Sequence, residues 1–132
     1  MRVGFAICLS LALLGCSDKR DARTSELQRE LEGYAVASCL FLQPDTYLSS
    51  QGDGWASVIV QSTTADLEKL LQVQEEVKAA MKMLPMVVTR VEREGGATTL
   101  ALPLLYCHNV ASAESVRATI ERILRSAPGG SG

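Results

Sequence analysis

Apolar residues recur at three- and four-residue spacing along most of this chain, and that rhythm predicts helices before any other property is considered. Leu27, Leu31, Tyr34, Ser38 and Leu42 form one stripe, which Val36, Cys39 and Leu40 widen toward its end, so residues 25–42 are expected to be a helix. Pro44 stops it. Residues 43–54 (QPDTYLSSQGDG) hold the densest set of turn formers, which predicts a loop or a loop with one short helical turn around residues 45–48. Residues 55–61 favour a strand through Val58-Ile59-Val60, yet Asp53 or Gly54 can cap a short helix there, and no convincing partner strand follows, so helix is the reading taken.

Thr63 and Asp66 match a capping box loosely and open the strongest helical stretch, residues 65–83. Leu67, Leu70, Leu71, Val73, Val77, Ala80, Met81 and Leu84 make its apolar side, opposite Glu68, Lys69, Glu75, Glu76, Lys78 and Lys82. Pro85 ends or kinks it. Residues 86–94 suit either a strand or a short helix, and Gly95-Gly96 is a turn in both cases. Residues 99–107 are mostly apolar and predict a buried helix with Pro103 in its first turn, where a missing N–H costs little. Ser112 is expected to cap a last helix that turns Val116, Ile120, Ile123 and Leu124 toward the core. The expected fold class is all-α, a bundle of four to five helices.

The N-terminal end changes the picture. Met1-Arg2 precedes an uncharged run from Val3 to Leu14, which has the basic end and apolar stretch of a secretory signal and is shorter than the roughly 20 apolar residues a membrane span needs. Leu13-Leu14-Gly15-Cys16 looks like the lipobox of bacterial lipoproteins, in which the cysteine is lipidated and becomes the mature N-terminus; cleavage near Gly15 or Ser17 without lipidation is the alternative. Either way the protein is expected outside the cytoplasm. Ser17 in the second mature position resembles outer-membrane sorting, so the expected location is the periplasm, with Cys16 as the anchor.

Residues 1–15 then form the signal, residues 16–24 a polar tether, residues 25–126 one domain and residues 127–132 a flexible tail. Removing 15 of 132 residues leaves about 117, enough for one core and too few for two. With Arg2 gone and no acid lost, the formal charge moves from −2 to about −3, too mild to imply nucleic acid or an anionic membrane surface as partner. Cys8 leaves with the signal and Cys16 takes the lipid. Cys39 and Cys107 remain, and two thiols in an oxidising compartment are expected to pair.

Little in the chain supports catalysis. His108 is the sole histidine, and beside Cys107 it would make a nucleophile pair, but adjacent helical residues point about 100 degrees apart and the thiol is assigned to the disulfide. Met81, Met83 and Met86 could bind Cu(I) in an exported protein, while such a spacing is more often core filler. No catalytic triad, paired metal ligands or phosphate loop can be assembled from one histidine and two bridged cysteines, so neither enzyme activity nor a cofactor is expected.

Three features together resemble the periplasmic immunity proteins that neutralise type VI secretion amidase effectors. They are Gly33-Tyr34-Ala35-Val36-Ala37-Ser38-Cys39-Leu40, the Gly54-Trp55 pair after a polar segment, and Leu105-Tyr106-Cys107 before a last helix. The likeness covers roughly residues 30–125, and the Cys107-His108-Asn109 context departs from it toward a sister group of small exported immunity proteins. The resemblance implies a helical, disulfide-stapled protein, often a homodimer, that plugs the active-site cleft of a peptidoglycan-cleaving amidase. Under that reading Tyr47 and Trp55 are candidate anchors and Asp45, Gln51 and Asp53 candidate hydrogen-bonding contacts on a protruding segment, with Trp55 equally able to serve the core. Two other readings are a copper-holding lipoprotein and a structural envelope lipoprotein.

Overall fold

A computed structural model describes residues 15–128; the apolar run expected to be a signal lies outside them, as do the last four residues of the expected tail. The elements in chain order are α1 (Gly15–Phe41), α2 (Thr46–Ser62), α3 (Leu67–Met83), β1 (Val88–Arg93), β2 (Gly96–Ala101), α4 (Pro103–Ala111) and α5 (Glu114–Ser126). The protein is a small helical bundle carrying one antiparallel hairpin.

α1 is the central post, packed against each of the other four helices. Leu31, Tyr34, Ala35, Cys39 and Leu40 are buried on it, as its stripe predicts. Its N-terminal part runs back to Gly15 through the segment expected to be a tether. No Gly or Pro interrupts residues 16–32, and Lys, Arg, Ala and Glu are good helix formers, so nothing in the chain breaks the helix before the stripe begins.

α2 replaces the predicted loop. Asp45 caps it, its carboxylate accepting the Leu48 N–H at 2.9 Å, and Ser49 Oγ donates to the Phe41 carbonyl at 2.8 Å, fastening the start of α2 to the end of α1. Gly52 is buried at the crossing of the two helices. A Cβ there would lie 2.6 Å from the Ala37 carbonyl oxygen and press on the Phe41 nitrogen, so the glycine permits a close backbone approach and makes no turn. At the far end Thr63 Oγ1 donates to Glu30 Oε2 at 2.7 Å and accepts the Ala65 N–H, tying the α2–α3 junction to α1.

Asp66 alone caps α3, accepting the Lys69 N–H at 3.0 Å; Thr63 belongs to the preceding turn and not to a capping box. That backbone hydrogen bond holds the Asp66 carboxyl below its ordinary range. Leu70, Val73, Val77 and Ala80 face the core, whereas Leu67 and Leu71, expected on the apolar side, are exposed at its rim.

Residues 88–101 form the hairpin, with Val88 paired to Ala101 and Arg93 to Gly96. Gly95 and Gly96 have φ of 103° and 122°, a backbone open chiefly to glycine, which lets the chain reverse over two residues. β-branched Thr89, Val91, Thr98 and Thr99 suit the strands. The predicted helix over 99–107 therefore starts later: Leu102, which precedes proline, is held out of the helical region with φ −116° and ψ 74°, and Pro103 opens α4 as its first residue. The hairpin stands off the helical body, held at its base by a Leu102 N–H to Val87 carbonyl bond of 2.8 Å.

Tyr106, Cys107 and Val110 of α4 are buried, and the Tyr106 hydroxyl donates to the Met81 carbonyl at 2.9 Å, locking α4 to the end of α3. Ser112 closes α4, and Ala113 stands at the N-cap of α5 with no side-chain cap, so Ser112 does not cap the last helix. α5 buries Val116, Thr119, Ile120 and Ile123 against α3 and α1. Cys39 and Cys107 are bonded, with sulfurs 2.10 Å apart and 68 residues between them, and both are fully buried.

Candidate binding surface

The segment singled out by its polar turn formers is divided by its helical geometry. Gln43 is buried, donating through Nε2 to the Cys39 carbonyl at 3.1 Å and lying 3.7 and 3.6 Å from the two disulfide sulfurs. It belongs to the core. Asp45 is exposed, and one of its carboxylate oxygens is committed to the cap of α2.

Beyond that cap, Tyr47, Gln51, Trp55, Val58 and Ser62 recur at three- and four-residue spacing and so share one flank of α2. Tyr47 is 70 % exposed, Val58 63 % and Trp55 44 %. The Trp55 ring lies along α1 with an edge over Gly33, which has no side chain to lift it off. Trp55 is therefore half packed and half presented. Gly54, on the same flank, has open space where a side chain would stand, leaving a flat spot among Tyr47, Gln51 and Val58. Tyrosine and tryptophan fixed on a helix give a partner large apolar area at little entropic cost.

Asp53 is not part of this flank. It points to the other side of α2, where it lines a cleft with Tyr34, Ser38 and Phe41 of α1. The structure thus brings together Tyr47, Gln51 and Trp55 and separates Asp45 and Asp53 from them. The hairpin is a feature that the pattern of residues 86–94 left open. It presents Val88 and Leu100 to solvent, and its strands pack chiefly on each other. Its signal in the sequence is a Gly-Gly turn between β-branched runs.

Other candidate chemistry separates rather than assembles. Cys107 is sealed in the disulfide while His108, its neighbour, is exposed. Met81 packs against the core and Met83 projects into solvent, as residues two apart on a helix must, and Met86 lies beyond the helix end. Among the described residues no group of three His, Cys, Asp or Glu side chains could hold a metal, and no helix is long and apolar enough to cross a membrane. The side chain of Cys16 lies outside the described set, with only its backbone placed in α1. Compared with protein-family models, with characterised proteins and with solved structures, the chain matches none.

Proposed function

We propose that this chain is an exported immunity protein, anchored through lipidated Cys16 at the periplasmic face of the outer membrane, that binds a peptidoglycan amidase effector of type VI secretion and occludes its active site. The observation that carries the reading is the exposed flank of α2, where Tyr47, Trp55 and Val58 sit on a helix clamped to a disulfide-stapled core. A protein that inhibits by occlusion needs a rigid scaffold, aromatic anchors and no reacting groups of its own. Trp55, its ring laid along α1, is ordered before contact, and a side chain so ordered loses less freedom on binding.

The test is co-purification of the exported domain with papain-like peptidoglycan amidases of the same or related bacteria, followed by size-exclusion chromatography. A stable complex in which peptidoglycan cleavage stops supports the reading. If no amidase is retained, the reading fails.

A further inference from the structure

The cleft beside Asp53 is unused by the α2 flank. It lies between α1, α2 and α3, has a volume of about 300 Å³, and is lined by Ser38, Phe41, Asp53, Ser57, Gln61 and Gln74 among others. That volume is at the bottom of the range of small-molecule pockets, about 300–1,000 Å³, and suits one long side chain better than a cofactor.

Its polar groups share a bias. Ser38 is 2 % exposed, and its Oγ is buried with no hydrogen-bond partner. A helical serine ordinarily returns its hydroxyl to the carbonyl one turn back, and a buried hydroxyl left unpaired is costly, so a donor or acceptor brought to the inner wall of the cleft, which Ser38 lines, would relieve it. Asp53 is the one charged residue of α2 and takes part in none of the ion pairs among the described residues. Ser57, Gln61 and Gln74 each offer a further acceptor oxygen. Among the described residues no Lys, Arg or His lines the cleft. Phe41, half exposed, supplies an aromatic face, and Val60 an apolar wall.

A negatively charged cleft rich in acceptors, with a ring on one side, is complementary to a planar cation with many donors on an aliphatic stem. Guanidinium carries five N–H donors and stacks on aromatic faces, whereas an ammonium concentrates three at a point. We propose that this cleft receives an arginine side chain of the partner protein, with Asp53 pairing with the guanidinium and the Ser38 hydroxyl closing the inner end. The proposal rests on the binding reading above and names a second contact that such a partner would make, on the side of α2 opposite Tyr47.

The probe is N-acetyl-arginine methylamide, titrated into the oxidised domain and followed by amide shifts in two-dimensional NMR, with the uncharged citrulline analogue as comparator. Shifts centred on Ser38, Asp53, Ser57 and Gln61, with the arginine compound at least about fivefold tighter than the citrulline one, are expected, and Asp53→Asn should remove the difference. Ser38→Ala should remain folded and weaken the arginine compound alone. Equal or scattered shifts from both compounds, or an unchanged preference in Asp53→Asn, would overturn the cleft assignment. The two readings separate cleanly: an amidase bound equally well by wild type and Asp53→Asn leaves the immunity reading standing and removes this one, while arginine binding without any amidase partner does the reverse.

Discussion

Replacing both bridged cysteines, Cys39→Ala with Cys107→Ala, tests the staple on which the bundle depends. The bridge spans 68 residues and joins α1 to α4, so it constrains α2, α3 and the hairpin in the unfolded chain as well as the folded one. Loop-closure entropy for that length is about 4 kcal/mol. Both sulfurs are fully buried beneath Gln43, so the substitution also leaves small voids and withdraws two weak acceptors from the Gln43 amide, which keeps its bond to the backbone carbonyl of residue 39. Against a total of about 5–15 kcal/mol for a domain, the loss is large. For a body of about a hundred residues each kcal/mol moves the melting temperature by about 4–8 degrees, so the double variant should melt at least about 15 degrees below wild type. Circular dichroism melts at matched concentration measure this, and intact mass after alkylation should find no free Cys39 or Cys107 thiol in the native protein. Melting points within about 5 degrees of each other, or thiols that alkylate without reductant, would refute the reasoning.

The two α2 glycines should respond with opposite signs in urea denaturation: Gly52→Ala should lower stability by about 2 kcal/mol because its methyl collides with α1 backbone, while Gly54→Ala should raise it by about 0.5–1 kcal/mol. Ser38→Ala should stabilise by about 1 kcal/mol, since it removes a buried hydroxyl that has no partner; a loss of that size in the same assay would mean the hydroxyl is bonded. The lowered pKa of Asp66 means that its ionised cap contributes above the unfolded value of 3.8 and is lost as pH falls through the folded one. Wild type should therefore lose melting temperature more steeply below pH 4 than Asp66→Asn, whose amide oxygen caps at every pH, and parallel curves would contradict this assignment.

The stripes of α1, α3 and α5 were legible because burial on one side of a long helix leaves a period that few other structures produce, and the Cys39–Cys107 pairing followed from compartment and elimination. α2 was not legible as one helix. Gly52 and Gly54 read as punctuation, yet Gly52 serves a helix crossing whose other half, Ala37 to Phe41, lies more than ten residues away. Asp45 reads as a turn former and is a cap, a distinction made by whether the following residues propagate a helix. The start of α4 was misplaced because an apolar run before proline suits a strand as well as a buried helix, and Gly95-Gly96 needed its second strand recognised to become a hairpin. As for the surface, the aromatic residues could be named, but which side of α2 they share, and that Asp53 leaves them for a cleft with Ser38, is decided by the face that Gly52 presses on α1.

The central claim is tested most directly by titrating the domain into an amidase that it retains and following release of soluble peptidoglycan fragments, with Tyr47→Ala measured beside wild type. Tyr47 is 70 % exposed and is not a buried member of the core, so the variant should melt with wild type. An aromatic anchor at an interface centre contributes about 2 kcal/mol or more. Wild type should abolish cleavage at a one-to-one ratio, and Tyr47→Ala should need at least about thirty-fold more protein to reach half inhibition. A folded Tyr47→Ala that inhibits as well as wild type would contradict the assigned surface, and cleavage that continues unchanged under excess wild type would contradict the immunity function itself.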